Sequence, residues 1–499
     1  MTTAVPLQVA IVGAGFSGLC MAIRLRGAGI RDFVVFDKES DIGGVWRDNV
    51  YPGCGCDVPS HLYSYSFARY ADWSRAYPKQ REILDYLHGC VSRWKLEPHL
   101  RLNTEIAEAR WEPQERLWRL RDTRGTEYTA RTVVCGVGQL NRPRYPSVPG
   151  RESFTGTQFH SAAWDPSWPP EAFAGQDVAV IGTGPSAVQF VPEIAPHARS
   201  VTVFQRSANW VIPKYDYAFG PGSRWALRNV PGLRLALRGF IFSVVCETLL
   251  YSAIAGSPLG RGVQKFSAWH LRSQIADPDL RAKLTPDFPI GCKRILISDD
   301  WYPALARANV EVVTDPVAAI TPGGVRTADG TDHAASVLIH ATGFRATEFL
   351  SPIEIVGRNG TRLHDRWKNG ADAYLGIAVP EFPNLFLLYG PSTNLGHNSV
   401  VYMIESQVGY IMRWLRAARD GQVEVAEQAL AAYTRTMRRL LSRTAWEAGC
   451  TSWYQAADGR VVNNWPRRSY RYRLATRRPR AQDFRPDFKP PSGVPPTDR

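Results

Sequence analysis

The chain has 499 residues, 44% hydrophobic, 11% aromatic and 21% charged. That excludes a disordered chain, a collagen and a coiled coil, and it allows roughly two to four domains around a buried ligand. The net charge is +14, and ten Lys/Arg against three Asp/Glu fall between 466 and 499. No base-reading module accompanies this tail, so nucleic acid is not an expected partner. A solvated tail or an anionic membrane suits it equally.

Eight cysteines are scattered, with Cys54 and Cys56 the one close pair. C-x-C without a second pair is a poor zinc site, so no metal is expected. The spacing predicts no disulfide framework, a reducing compartment and a cytoplasmic location. The first strand begins near Gln8, leaving no room for a secretory signal. The most apolar run, from Gly239 to Gly256, carries Glu247 near its centre. It reads as a buried or pocket-lining helix and not as a stable membrane span.

In chain order, Val9–Val12 reads as a strand, the residues after it through Arg26 as a helix, and Phe33–Asp37 as a second strand. The pattern returns at Val178–Ile181, a following helix, and Val201–Arg206. Pro-rich stretches at 142–149 and 164–170 mark boundaries. A mainly helical segment over 216–284 interrupts the second module. Strands return at Ala335–His340 and Asn384–Leu388, then a long helix over 399–419. The Arg- and Pro-rich end predicts an extended or wrapping tail. The fold class is α/β with two Rossmann-like dinucleotide-binding domains. The first is expected over 1–150 and 336–465, the second over 151–215 and 285–335, with 216–284 as insert and 466–499 as tail.

Each module joins strand to helix through a glycine loop, Gly13-Ala14-Gly15-Phe16-Ser17-Gly18 and Gly182-Thr183-Gly184-Pro185-Ser186-Ala187. Backbone N–H groups at such a turn face a pyrophosphate. Asp37 lies 19 positions after Gly18, and Arg206 lies 19 positions after Ala187. A carboxylate there accepts ribose hydroxyls; an arginine there meets a 2′-phosphate. The first loop is therefore assigned to FAD or NAD, and the second to NADPH.

Two longer patterns follow. Phe154, Gly156, His160, Trp164 and Asp165 fit F-x-G-x-x-x-H-x-x-x-W-[P/D]; Gly43, Gly44, Trp46, Tyr51, Pro52, Gly53 and Asp57 fit [A/G]-G-x-W-x-x-x-x-[F/Y]-P-[G/M]-x-x-x-D. On these residues the chain resembles the type I Baeyer–Villiger monooxygenases, relatives of the flavin-containing monooxygenases. Ala341-Thr342-Gly343 resembles that family's interdomain turn.

The resemblance implies FAD and NADPH as cofactors, with O2 and a ketone as substrates and an ester or lactone as product. It implies FAD contacts from Gly13, Gly15, Phe16, Ser17, Gly18, Asp37, Lys38, Gly44, Val45, Trp46, Asp57, Tyr63, Ile106 and Asn394. It implies NADPH contacts from Gly182, Thr183, Gly184, Pro185, Ser186, Ala187, Arg206, Ser207, Lys293, Arg294 and Trp453. Arg294, oriented by Asp57, would stabilise a flavin peroxide as an anion, a role suited to a cation that never deprotonates. Phe154, Gly156, His160, Trp164 and Asp165 would couple domain movement to catalysis, with His160 positioning and not reacting. After Trp453 the chain has Gln455-Ala456-Ala457 where the family continues Gly-Ala-Asn. Gly390–Asn394 reads equally as a plain turn or as a loop over the flavin ring. Cys54 and Cys56 read as buried fillers.

The ketone is expected to be apolar and medium to large, cyclic ketones included, against a wall that includes Trp225, Phe240, Phe242, Leu249 and Tyr251. Oxygenation of nitrogen or sulfur is the nearest alternative. An NADPH oxidase that loses peroxide is another, and a membrane- or nucleic-acid-binding protein using the tail is a third.

Overall fold

The computed structural model describes residues 5–417, 421–456 and 458–485. Leu7–Val12 is apolar along nearly its whole length, and its last four residues are buried. Such a run suits a strand flanked on both sides in a parallel sheet. It pairs in parallel with Phe33–Phe36 on one edge and Glu127–Cys135 on the other. The sheet has eight strands. Leu100–Arg101 closes one side, and an antiparallel meander of Ile106–Glu112, Leu117–Asp122 and Glu127–Cys135 extends the other. Leu385–Leu387 returns from far along the chain to pair with Glu127–Cys135.

The second sheet has five strands, all parallel, in the order Val310–Val313, Ser200–Phe204, Asp177–Ile181, Val337–His340 and Thr157–His160. The two sheets repeat one local arrangement. A Cβ on Gly13 would lie 2.6 Å from the carbonyl oxygen of Gly136, and one on Gly182 would lie 2.5 Å from that of Ala341. Both glycines have positive φ, +103° and +110°. In each module the chain leaving the first strand thus crosses directly against the end of its neighbour, and only glycine fits.

The insert is helical, from Pro221–Asn229 through Leu233–Phe240 and Ile241–Leu250 (a π-helix) to Pro258–Gln274 and Pro278–Lys283. The apolar run is half-buried rather than buried. Ile241, Cys246 and Glu247 face inward, while Phe240, Val244 and Leu249 are exposed. Glu247 explains the inward face. Its Oε1 accepts from Asn398 Nδ2 at 2.8 Å, from Ser469 N at 3.0 Å and from the Ser469 hydroxyl. His397 Nε2 lies 3.6 Å away. Burial raises the Glu247 pKa, but His397 and Ser469 outweigh it and hold the group below its ordinary value. One buried carboxylate therefore ties the insert to the first module and to the chain end.

The long helix runs Val400–Ala417, and the last residues of the 399–419 expectation lie outside the described residues. Beyond Trp465 the chain wraps. Ser469–Ala475 is a helix with Tyr472 fully buried, and the Phe484 ring lies 4.2 Å from that of Trp414. The tail expectation for 486–499 falls outside the described residues.

Against the expectation of no disulfide framework, the structure holds one bridge. Cys292 and Cys450 form a disulfide with Cα atoms 6.2 Å apart. They are 158 residues apart in the chain, so no local spacing reveals them. The other six cysteines are free and buried.

Two predictions follow from buried ionisable groups. Glu247→Ala leaves its donors facing nothing, so stability falls by about 3 kcal/mol; urea denaturation measures this, and an unchanged midpoint contradicts it. Burial holds His160 and His340 near pKa 4, against about 6.5 in an unfolded chain. The unfolded chain therefore binds more protons between those values, and stability falls as pH drops from 6.5 towards 4. For His160 the loss is about 2 kcal/mol at pH 5. Thermal melts of the wild type and His160→Gln should diverge over that window, the variant losing less; parallel curves would refute the assignment.

Candidate active site

Helix Phe16–Gly27 begins at Gly15 and helix Pro185–Ile194 begins at Gly184, and neither start has a side-chain cap. Their first-turn N–H groups are left for a ligand. Both loops open on one cleft of about 1700 Å³. A Cβ on Gly184 would meet nothing within 4 Å, and Gly15 faces Gly44 with a Cβ 3.7 Å from the Gly44 Cα. These are backbone cradles with room for a dinucleotide.

At the first loop, the Asp37 carboxylate accepts from Ala14 N at 2.6 Å. Arg47 Nη1 approaches its other oxygen at 3.4 Å. The strand end and the loop are thereby locked together, with Asp37 on the cleft wall. Trp46 donates its Nε1 to the Tyr63 hydroxyl at 3.0 Å, and Tyr63 packs edge-on against Phe16 at 5.1 Å.

At the second loop, Lys293 Nζ donates to Ser207 Oγ at 2.6 Å. Burial and the neighbouring Arg206 charge both lower the Lys293 pKa. Two cations thus crowd one spot, and among the described residues neither has an acidic partner within salt-bridge range. The pair suits a 2′-phosphate.

Arg294 follows at once. Its Nη2 donates to Asp57 Oδ2 at 3.0 Å, and its side chain is 33% exposed, on the cleft wall. Burial works against its charge, but the neighbouring Asp57 carboxylate leads the groups that override it and raise its pKa. Asp57 is itself held. Gln189 Nε2 donates to its Oδ1 at 3.0 Å, and Lys214 Nζ lies 4.0 Å from that oxygen. Gln189 also donates to the Gly55 carbonyl at 3.1 Å and accepts from Tyr51 at 3.1 Å. It stands on the second module's helix and grips the first module's loop. Around Arg294 the hydroxyls stay neutral: burial pushes Tyr454 up to about 12, and Tyr63 and Tyr389 above their ordinary range. The Cys54 and Cys56 thiols are likewise pushed up to about 12 by burial.

The cleft gathers Gly13, Gly15, Phe16, Ser17, Asp37, Lys38, Gly44, Val45, Trp46, Asp57, Tyr63, Ile106 and Asn394 with Gly182, Thr183, Gly184, Pro185, Ser186, Arg206, Ser207, Lys293, Arg294 and Trp453. Gly18 and Ala187 do not line it. A Cβ on Gly18 would fall 1.8 Å from the Gly13 carbonyl oxygen, so this glycine serves helix–strand packing. The Cys292–Cys450 bridge joins the Lys293-Arg294 segment to the one bearing Trp453.

The linker residues also lie off the cleft. Phe154 packs in the second module's core, and Gly156 abuts the Ser336 carbonyl. His160 Nδ1 accepts from Ala162 N at 3.0 Å, which caps the next turn. Trp164 is buried between Phe159, Phe173 and Phe190, its Nε1 bonded to the Trp168 carbonyl. Asp165 is exposed and accepts from Ser167 N.

Of the five residues expected on the substrate wall, Phe240 and Leu249 face the cleft. Phe242 packs on Tyr402 at 4.9 Å and Tyr251 on His397 at 5.0 Å, while Trp225 points outward, 64% exposed. Consecutive helical residues face different ways, so composition alone overcounts a wall.

Sequence reasoning missed Gln189, Lys214 and Tyr389. Gln189 leaves one signal, a polar side chain in the otherwise apolar turn Ala187–Val191. Tyr389 donates to Asn394 Oδ1 at 2.6 Å, and Asn394 in turn donates to Asn464 at 2.6 Å. No local motif announces that chain.

Residues 7–221 match the flavin-binding monooxygenase-like family. A Baeyer–Villiger monooxygenase of Pseudomonas aeruginosa is 42% identical, over 94% of this chain and 89% of that protein. One of Streptomyces coelicolor is 40% identical, over 95% and 91%. Among solved structures, OTEMO in complex with FAD and NADP superposes with a TM-score of 0.87 at 27% identity, covering 95% of this chain and 98% of that one. Identity of this extent over nearly the whole of both chains places the protein in a family: this chain belongs to the Baeyer–Villiger monooxygenases.

Proposed function

We propose that the enzyme inserts one oxygen atom from O2 beside the carbonyl of an apolar ketone, giving an ester or lactone, and that Arg294 is the catalytic cation. The observation that carries this reading is the Arg294–Asp57 contact of 3.0 Å on the wall of the cleft that both nucleotide loops share. FAD, reduced by NADPH, supplies the activation of O2 when bound.

The chain's own residues do the rest. Asp37, fixed by Ala14 N, takes the adenosine ribose of FAD. Arg206 and Lys293 take the 2′-phosphate of NADPH, which removes their mutual repulsion. Asp57 occupies part of the Arg294 guanidinium and sets its plane. The remaining donors face the cleft, where they stabilise negative charge developing on the reacting oxygen. Gln189 and Lys214 keep Asp57 from drifting toward bulk solvent. Neutral Tyr63, Tyr389 and Tyr454 surround the guanidinium, so no second anion competes for it. Phe240, Leu249 and neighbouring insert residues give the apolar wall that selects the ketone.

Arg294→Ala is expected to keep FAD and NADPH oxidation but to lower ester formation about 10²- to 10³-fold, with NADPH turnover appearing as hydrogen peroxide; product chromatography at wild-type rate would reject the role. Arg206→Ala is expected to raise KM for NADPH roughly tenfold or more and leave KM for NADH nearly unchanged. Equal effects on both cofactors would remove the phosphate assignment.

A further inference from the structure

The insert carries more exposed apolar surface than the cleft requires. Trp225, Leu235, Phe240 and Trp269 are 64%, 59%, 56% and 54% exposed. Leu233 and Phe240 are seven positions apart, as are Leu259 and Phe266, so each exposed pair recurs on one helix face. Along the helices that carry them the exposed charges are basic, and the insert's exposed acids, Asp277 and Asp279, come after those helices. Residues 221–274 contain seven Lys/Arg and one acid, Glu247. That acid is buried under Asn398 and Ser469, whereas Arg224, Arg261, Lys265 and Arg272 are exposed.

Geometry decides how this surface is used. Among the described residues no single helix is long and apolar enough to cross a membrane. The helices Leu233–Ile254 and Pro258–Gln274 meet at 93°, a corner that suits lying along a bilayer surface. Phe240, Leu249, Leu259 and Phe266 are exposed and also line the cleft. The apolar face is therefore continuous with the cleft mouth.

We propose that the insert docks this protein on an anionic phospholipid surface, with its apolar face in the headgroup region and the cleft mouth turned to the lipid. Interfacial helices combine the features of Leu233–Ile254 and Pro258–Gln274, an apolar stripe flanked by Lys and Arg. A second copy of the chain fits poorly, because a two-fold contact would press like charges together. Entry of an apolar ketone from the lipid rests on the ketone reading above. The docking itself does not, and it is measured without substrate, so the two fail separately.

The test is sedimentation of the FAD-loaded full chain with vesicles of phosphatidylcholine alone or mixed with phosphatidylglycerol. Expected is about tenfold or greater preference for the anionic vesicles, weakened by salt. Leu235→Ser with Trp269→Ser removes apolar side chains that do not line the cleft, and Arg261→Glu with Lys265→Glu reverses charge. Each pair should cut vesicle binding about tenfold while melting temperature and flavin content stay unchanged. Three outcomes overturn the proposal: no anionic preference in the wild type, full binding by both variants (which would place the contact elsewhere), or a self-association that the apolar variant abolishes.

Discussion

The positive charge of Arg294 is the constraint on which the rest depends. A guanidinium on the cleft wall, 33% exposed, is costly to hold without a counter-charge, yet on the proposed mechanism a counter-charge that satisfied it fully would leave no donor for the reaction. Asp57 resolves the conflict through a single contact of 3.0 Å. Gln189 braces that carboxylate from the second module while gripping the loop around Gly55 in the first. The ion pair and the join between modules are therefore one structure. A displacement of either module changes the direction in which the arginine donates.

The same economy governs the two nucleotide loops. Gly13 and Gly182 are required by identical crowding against Gly136 and Ala341, so the two modules share one backbone solution. The proposed nucleotide selectivity rests on side chains placed at equal offsets, Asp37 in one and Arg206 in the other. Lys293, brought from beyond the insert, reinforces the second charge beside Ser207. The insert that separates these residues in sequence also walls the cleft and presents the basic apolar face.

Much of this was legible in the chain. Strand–loop–helix modules follow from apolar runs ending in glycine loops, because parallel strands buried on both faces cannot alternate. The Asp57–Arg294 contact came from resemblance alone, since 237 residues separate the partners. Gln189 escaped because a lone glutamine in a helix says nothing about what faces it. The Cys292–Cys450 bridge escaped because long-range pairing has no local spacing. The insert's apolar run, expected to be buried or to line a pocket, does line the cleft at Phe240 and Leu249, while the share of it left exposed depends on which neighbours the fold supplies.

The central claim, oxygen insertion beside a carbonyl at the Arg294 site, is tested most directly with isotopic oxygen. The purified FAD-loaded enzyme, given NADPH, a panel of apolar cyclic ketones and 18O2, should yield a lactone carrying one 18O atom in the ring, in near-equal amount to the NADPH consumed. Recovery of the label wholly as hydrogen peroxide, or its transfer to sulfides and amines but never to a ketone, would contradict the account.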